Sequence, residues 1–138
     1  MSEVIRFGVS LEKNLLLRFD RLIRGKKYTN RSEAIRDLIR REMVKEAWEK
    51  GGEVAGAITF IYDHHQRDLL NRIMDLQHDH QKIILSTQHV HLDHDHCLEI
   101  VAVRGSAGDV LELADALKAL KGVRHGTLSM TGTGKETK

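Results

Sequence analysis

Val4-Ile5-Arg6-Phe7-Gly8-Val9-Ser10 alternates in side-chain character, with Ile5, Phe7 and Val9 on one side and Arg6, Gly8 and Ser10 on the other. Period-two alternation predicts a half-buried strand. The residues after it offer that strand no neighbour. Leu11–Arg24 reads as an amphipathic helix with Leu15, Leu16, Phe19, Leu22 and Ile23 inward, and Gly25 is placed to end it in a left-handed conformation. A basic turn, Lys26–Thr29, leads to Asn30, a cap for a second helix running through Ala34, Ile35, Leu38, Ile39 and Met43 to about Trp48. Glu33, three residues after Asn30, is the reciprocal partner of a capping box.

A lone strand and two helices cannot bury much core within one chain. Dimerisation resolves this. Two copies of Val4–Ser10 pair antiparallel, bury Ile5, Phe7 and Val9, and display Arg6, Gly8 and Ser10 outward on a ribbon that fits a DNA major groove. Asn30, Arg31 and Ser32 open the second helix, where free N–H groups and the positive dipole end suit a phosphate. The charge agrees. The net +2 divides into +5 over residues 1–50 (13 Lys+Arg against 8 Asp+Glu) and −3 over residues 51–138 (9 against 12). A basic module is the footprint of a polyanion partner, although charge alone is met as well by a solvated helix surface.

Lys50-Gly51-Gly52-Glu53 is a glycine hinge and the expected boundary between a module of residues 1–50 and one of residues 53–131. In the second module Val54–Tyr62, Lys82–Leu92, Cys97–Arg104 and Val123–Met130 read as strands, and Asp63–Gln77 and Ala107–Leu120 as helices. The order βαββαβ predicts a ferredoxin-like antiparallel sheet with both helices on one face, and so an α+β chain overall. The polar tail, residues 132–138, is expected to be disordered. No apolar run is long enough to span a membrane, and Met1–Ser10 lacks the layout of a secretory signal. One cysteine forms no internal disulfide, which fits a reducing cytosol.

Nine histidines in 138 residues turn attention to metals. His89 and His91 project from the same face of one strand, and Cys97 begins the next strand after the turn Asp93–His96. Two imidazoles and a thiolate make three ligands for a borderline or soft ion. Candidates for a fourth are His78, His80, His64, His65, His94, His96 and His125. A catalytic Cys–His pair is the rival use, but no glycine-rich oxyanion turn accompanies Cys97, so no enzyme is expected.

Two resemblances sharpen this. Strand, helix, turn and N-R-S-E-A-I-R-D (Asn30–Asp37) resemble the ribbon-helix-helix family, in which outward ribbon residues read bases; Gly8 departs from it, leaving Arg6 and Ser10 as the side chains able to do so. Gln77-His78, His89-Val90-His91, H-x-x-C-L-E-I (His94–Ile100) and G-V-R-H-G (Gly122–Gly126) are similar to the nickel-responsive regulator family. That likeness implies a ribbon-helix-helix domain joined to an ACT-like regulatory domain, in a cytoplasmic homotetramer built as a dimer of dimers on a palindromic operator. It implies one Ni(II) per subunit on His89, His91 and Cys97, with His78 arriving from a neighbouring subunit. It also implies repression of nickel uptake when nickel is bound, and a second cation near Glu33 and Asp37, which at i, i+4 read equally as surface carboxylates. A copper or zinc sensor on the same scaffold and a metal-buffering protein are the alternatives. His64, His65, His80 and His96 are expected to be surface residues or incidental contacts.

Overall fold

The computed structural model describes residues 3–135, so the end of the expected tail, residues 136–138, lies outside the described residues. Two helices open the chain, α1 Lys13–Gly25 and α2 Arg31–Glu49, followed by β1 Glu53–Asp63, α3 Arg67–Asp79, β2 Ile84–His91, β3 His96–Ser106, α4 Ala107–Ala119 and β4 Val123–Thr131. None of the described helices is long and apolar enough to cross a membrane.

The strands form one antiparallel sheet in the order β2-β3-β1-β4. Alternation along β1 and β3 puts Val54, Ile58, Phe60, Tyr62, Cys97, Glu99, Val101 and Val103 on one buried face. Leu69 and Ile73 of α3 and Val110, Leu113, Ala114 and Leu117 of α4 close over it in one core. Each such aliphatic side chain contributes about 1.5–3 kcal/mol by leaving water. Gly56 lets β1 and β4 approach closely, because a Cβ there would sit 2.5 Å from the Ser129 carbonyl oxygen.

The N-terminal segment differs from its expected form. Residues 3–12 carry no regular structure, and Ile5, Phe7 and Val9 are 75%, 71% and 63% exposed. A strand needs a neighbour for its backbone N–H and C=O groups, and a single chain supplies none. Three details differ as well. Gly25 remains helical, and the left-handed residue is Lys27 (φ 66°), where the Lys27 and Tyr28 N–H groups bond the Arg24 and Ile23 carbonyls. Half of the capping box forms: Asn30 Oδ1 accepts from the Glu33 N–H at 2.8 Å, but the Glu33 carboxylate turns to Arg36. The third is α3, which starts at Arg67 because Asp63 builds a turn first, accepting from the His65 N–H at 2.9 Å.

Gly51-Gly52, expected to be a flexible hinge, is a hydrogen-bonded helix stop. Gly51 takes φ 72°, the Gly52 N–H reaches the Ala47 carbonyl at 2.8 Å, and the Gly52 carbonyl accepts from Ala107 N–H at 2.9 Å. One turn earlier Trp48 is buried in the sheet core, its Nε1–H donating to the Thr131 carbonyl at 2.9 Å. The end of α2 is therefore anchored to the sheet.

Candidate metal centre and nucleic-acid surface

Strand register builds the candidate site. In the β2–β3 pair His91 lies opposite Cys97 and His89 opposite Glu99; in the β1–β3 pair Tyr62 lies opposite Cys97 and Asp63 opposite His96. With period two, Tyr62, Cys97, Glu99, His89 and His91 share one face at one end of the sheet. β2 is an edge strand, so its histidines reach solvent while Cys97 and Glu99 stay buried.

The Cys97 Sγ is 3.4 Å from Nδ1 of His91. Burial pushes the Cys97 thiol up, with the negative charges of Glu99 and then Asp93 adding to the shift. A metal cation at this position would reverse that preference, since thiolates are the metal-binding form. His89 is held differently. Its Nε2 is 2.9 Å from Glu99 Oε1 and its Nδ1 is 3.2 Å from the Tyr62 hydroxyl. Burial raises the Glu99 carboxyl, with His89 and then Gln77 pulling it back. The Tyr62 phenol is pushed up to about 12 by burial and by the charges of Glu99 and Cys97.

The third side chain beside His91 and Cys97 is His64 rather than His89. Ligand atoms of His64, His91 and Cys97 all lie within 4.8 Å of one another, and His64 Nδ1 is buried without a hydrogen-bond partner. Tyr62 and Glu99 were not legible as site residues, and His64, one of several candidates for a fourth ligand, was expected to be a surface residue or incidental contact, whereas it is half-buried beside His91 and Cys97. Glu99 could have been found from its spacing of two after Cys97; the placement of His64 and Tyr62 depends on the β1–β3 register, which no local pattern encodes. His78, at the exposed C-terminal end of α3, is not gathered with this group within one chain and lines a shallow depression with His80, Lys82 and Asp109. One imidazole pair with a thiolate and an unsatisfied buried nitrogen beside it fits a borderline ion such as Ni(II), Cu(II) or Zn(II).

The turn next to the site is closed by hydrogen bonds to Asp93. Asp93 Oδ1 accepts from the N–H groups of Asp95 and His96 at 2.9 and 2.8 Å, and those bonds hold its carboxyl below the usual range. His65, His94 and Asp95 form a second, exposed cluster. His96 bonds Asp93, and His125 is an exposed residue of β4 opposite Ile61.

On the basic module Arg6, Gly8, Ser10, Asn30, Arg31 and Ser32 are all exposed. Arg31 is not free: its Nε and Nη2 meet the Asp20 carboxylate at 2.9 and 2.8 Å, a two-pronged pair joining α2 to α1. At the same helix end the Glu33 and Ala34 N–H groups bond the Asn30 side chain and carbonyl. Glu33 pairs with Arg36, and Asp37 accepts from the Tyr28 hydroxyl at 2.5 Å.

Comparison with known proteins places both halves. Residues 55–131 match the family described as the NikR C-terminal nickel binding domain, and residues 5–46 match the ribbon-helix-helix proteins of the copG family. A protein of Syntrophus aciditrophicus is 64% identical over 98% of both chains. One of Chlorobium phaeobacteroides is 58% identical over 95% of this chain and 98% of its own. One of Thermococcus kodakarensis is 53% identical over 97% and 98%. Each carries the name "Putative nickel-responsive regulator". An uncharacterized protein of Thermotoga maritima shares the fold over 56% of this chain and 96% of its own, with a TM-score of 0.52 at 13% identity.

Proposed function

The chain belongs to the nickel-responsive regulators, a family of DNA-binding proteins rather than enzymes, and from that premise we propose that it represses nickel-uptake genes when Ni(II) is bound. The observation that carries the reading is the pairing of Cys97 with His91 at 3.4 Å, beside His89 on the same sheet face, in a chain that begins with a basic module.

In this reading His89, His91 and Cys97 of one chain, with His78 of the partner subunit, hold one Ni(II) per chain. When bound, the ion supplies a bond network between two chains that their side chains alone do not make. Cys97 contributes a thiolate shielded from water by Tyr62 and the sheet. Glu99 orients His89 through Nε2. His78 ends α3, so its engagement by a neighbouring chain would order that helix. Two ribbons built from Val4–Ser10 read a palindromic operator through Arg6 and Ser10, while the helix starts at Asn30-Arg31-Ser32 meet phosphates. The working assembly is a cytoplasmic dimer of dimers, and Ni(II) favours orientations in which both ribbons reach their half-sites. Nickel acts only through its different affinity for the two arrangements. Glu33 and Asp37 remain a candidate second cation site of the DNA-bound state.

A DNA-binding assay with and without Ni(II), Zn(II) and Cu(II) tests this. Operator affinity rises with nickel if the reading holds; affinity that ignores nickel defeats it. Replacing Arg6 separates a regulator from a metal buffer, because only a regulator loses function.

A further inference from the structure

Three cations on or next to α2 pair with a carboxylate one turn away: Arg36 with Glu33, Arg40 with Asp37 and Lys50 with Glu46. Such exposed pairs on one helix exchange readily with water and contribute little. Arg31 is different. Its Nε and Nη2 donate to the two oxygens of Asp20, on another helix, at 2.9 and 2.8 Å. The Asp20 side chain is 24% exposed, against 57% for Arg31, so the carboxylate is the seated partner and the cation the outer one. Arg24 adds a second positive charge near the same carboxylate. A forked pair has a direction that single-point pairs lack. It stands at the first residue of α2, where the regulator reading puts a phosphate.

The fork masks charge without using up the donors. A guanidinium carries five N–H groups. Asp20 takes two of Arg31's, and among the described residues nothing else engages the rest. Seen from a distance the pair is neutral, so it adds little to the long-range attraction that draws a basic surface to any duplex. At contact, the remaining N–H groups of a guanidinium already fixed in direction still bond a phosphate oxygen, but only where a seated helix presents one. We propose that Asp20 is a specificity-determining residue: its pairing withholds the Arg31 charge from indiscriminate attraction to phosphates and reserves its hydrogen bonds for the phosphate met in the sequence-specific complex. The proposal deepens the regulator reading and rests on it. Without Asp20, Arg31 becomes a mobile cation that grips any backbone.

The test uses full-length nickel-loaded protein as native, D20N, R31A and the double variant. There are two probes: a duplex that the native protein selects from a random pool, and a scrambled duplex of the same composition. Fluorescence anisotropy gives affinity over a range of salt. D20N binds the scrambled duplex on the order of tenfold more tightly at low salt, and its log affinity falls with log salt more steeply by about 0.9 for each Arg31 released. The ratio of selected to scrambled affinity falls by a similar factor, because the selected complex already uses Arg31. That ratio is taken within one variant, so a partly unfolded fraction cancels. In the R31A background the same Asp20 substitution loses most of its effect, since no cation is left to release. An unchanged ratio and slope in D20N overturn the proposal. So does a D20N effect as large without Arg31 as with it, which would belong to the carboxylate charge alone. Failure of the regulator reading has a different mark: the nickel-loaded native protein selects no sequence, while the scrambled-duplex slopes still judge Asp20.

Discussion

Glu99 Oε1 sits 2.9 Å from Nε2 of His89, and Glu99 is the one charged side chain among the buried described residues. On the other side of the ring Nδ1 meets the Tyr62 hydroxyl at 3.2 Å. A carboxylate behind an imidazole raises its basicity and fixes its orientation, whereas a phenol is a replaceable neutral partner. The nitrogen available to a metal is therefore Nδ1. E99Q weakens Ni(II) binding by about 10–100-fold, while Y62F leaves it unchanged or tightens it. Chelator competition measures both, and the opposite order would assign the metal to Nε2.

Arg6 is exposed and stands on the polar side of Val4–Ser10. R6A lowers operator affinity by about 1–3 kcal/mol and relaxes preference at one base position, with Ni(II) affinity intact. Gly8 has nothing within 4 Å of where a Cβ would stand. G8A therefore leaves the fold of the single chain untouched, so any loss of DNA binding reports a close approach to the groove. Fluorescence anisotropy with operator and scrambled duplexes decides both.

Phe7 at 71% exposure and Ile5 at 75% are apolar side chains uncovered in a single chain. Pairing two ribbons would bury them. F7D places a charge in that interface and removes one level of association, which sedimentation equilibrium reads as a lower mass. Ni(II) affinity survives as long as the regulatory domains still meet each other.

Asp20 and Arg31 give a pH signature. The hydrogen bond from Arg31 holds the Asp20 carboxyl below its ordinary value against the opposing effect of burial, with the charges of Arg31 and Arg24 adding to it. For a depressed carboxyl the stabilising contribution is present above the unfolded pKa and disappears as pH falls through the folded one. Carbon-detected NMR titration finds Asp20 ionised to lower pH than in the unfolded chain, and R31A returns it to the ordinary range. An unshifted Asp20 midpoint in the native protein means the pair is broken in solution.

Core and edge differ by an amount that can be measured. Leu113 is fully buried beneath the sheet, and Leu85 on the edge strand is 66% exposed. L113A costs about 2–5 kcal/mol, and L85A stays within about 0.5 kcal/mol. Denaturant midpoints of the metal-free protein give both numbers.

Much of the second half was readable residue by residue. Alternation located β1 and β3 to within two residues, and the βαββαβ order carried the sheet topology because right-handed, unknotted connections leave few others. Cys97 and His91 were legible as neighbours, since a short turn between antiparallel strands returns the chain to its own partner. His64 was not. It lies 33 residues before Cys97, and only the pairing of Tyr62 with Cys97 brings it to the sulfur. Gly25 and Gly51 show the same limit: both stand at helix ends, but the backbone took the left-handed turn at Lys27 in one case and at Gly51 in the other.

By itself, then, the sequence determined what is local: which segments are helical or extended, which faces are apolar, and which ligand types are present, because periodicity and residue chemistry act over a few neighbours. Tertiary structure decided what meets what. It set His64 rather than His89 against the Cys97–His91 pair, put Glu99 behind His89, locked Arg31 to Asp20 and buried Trp48 under β4. Those choices come from strand register and helix docking, where long-range burial outweighs any local preference. The ribbon shows where both stop: Val4–Ser10 has the pattern of a strand, and its partner has to come from a second copy of the chain.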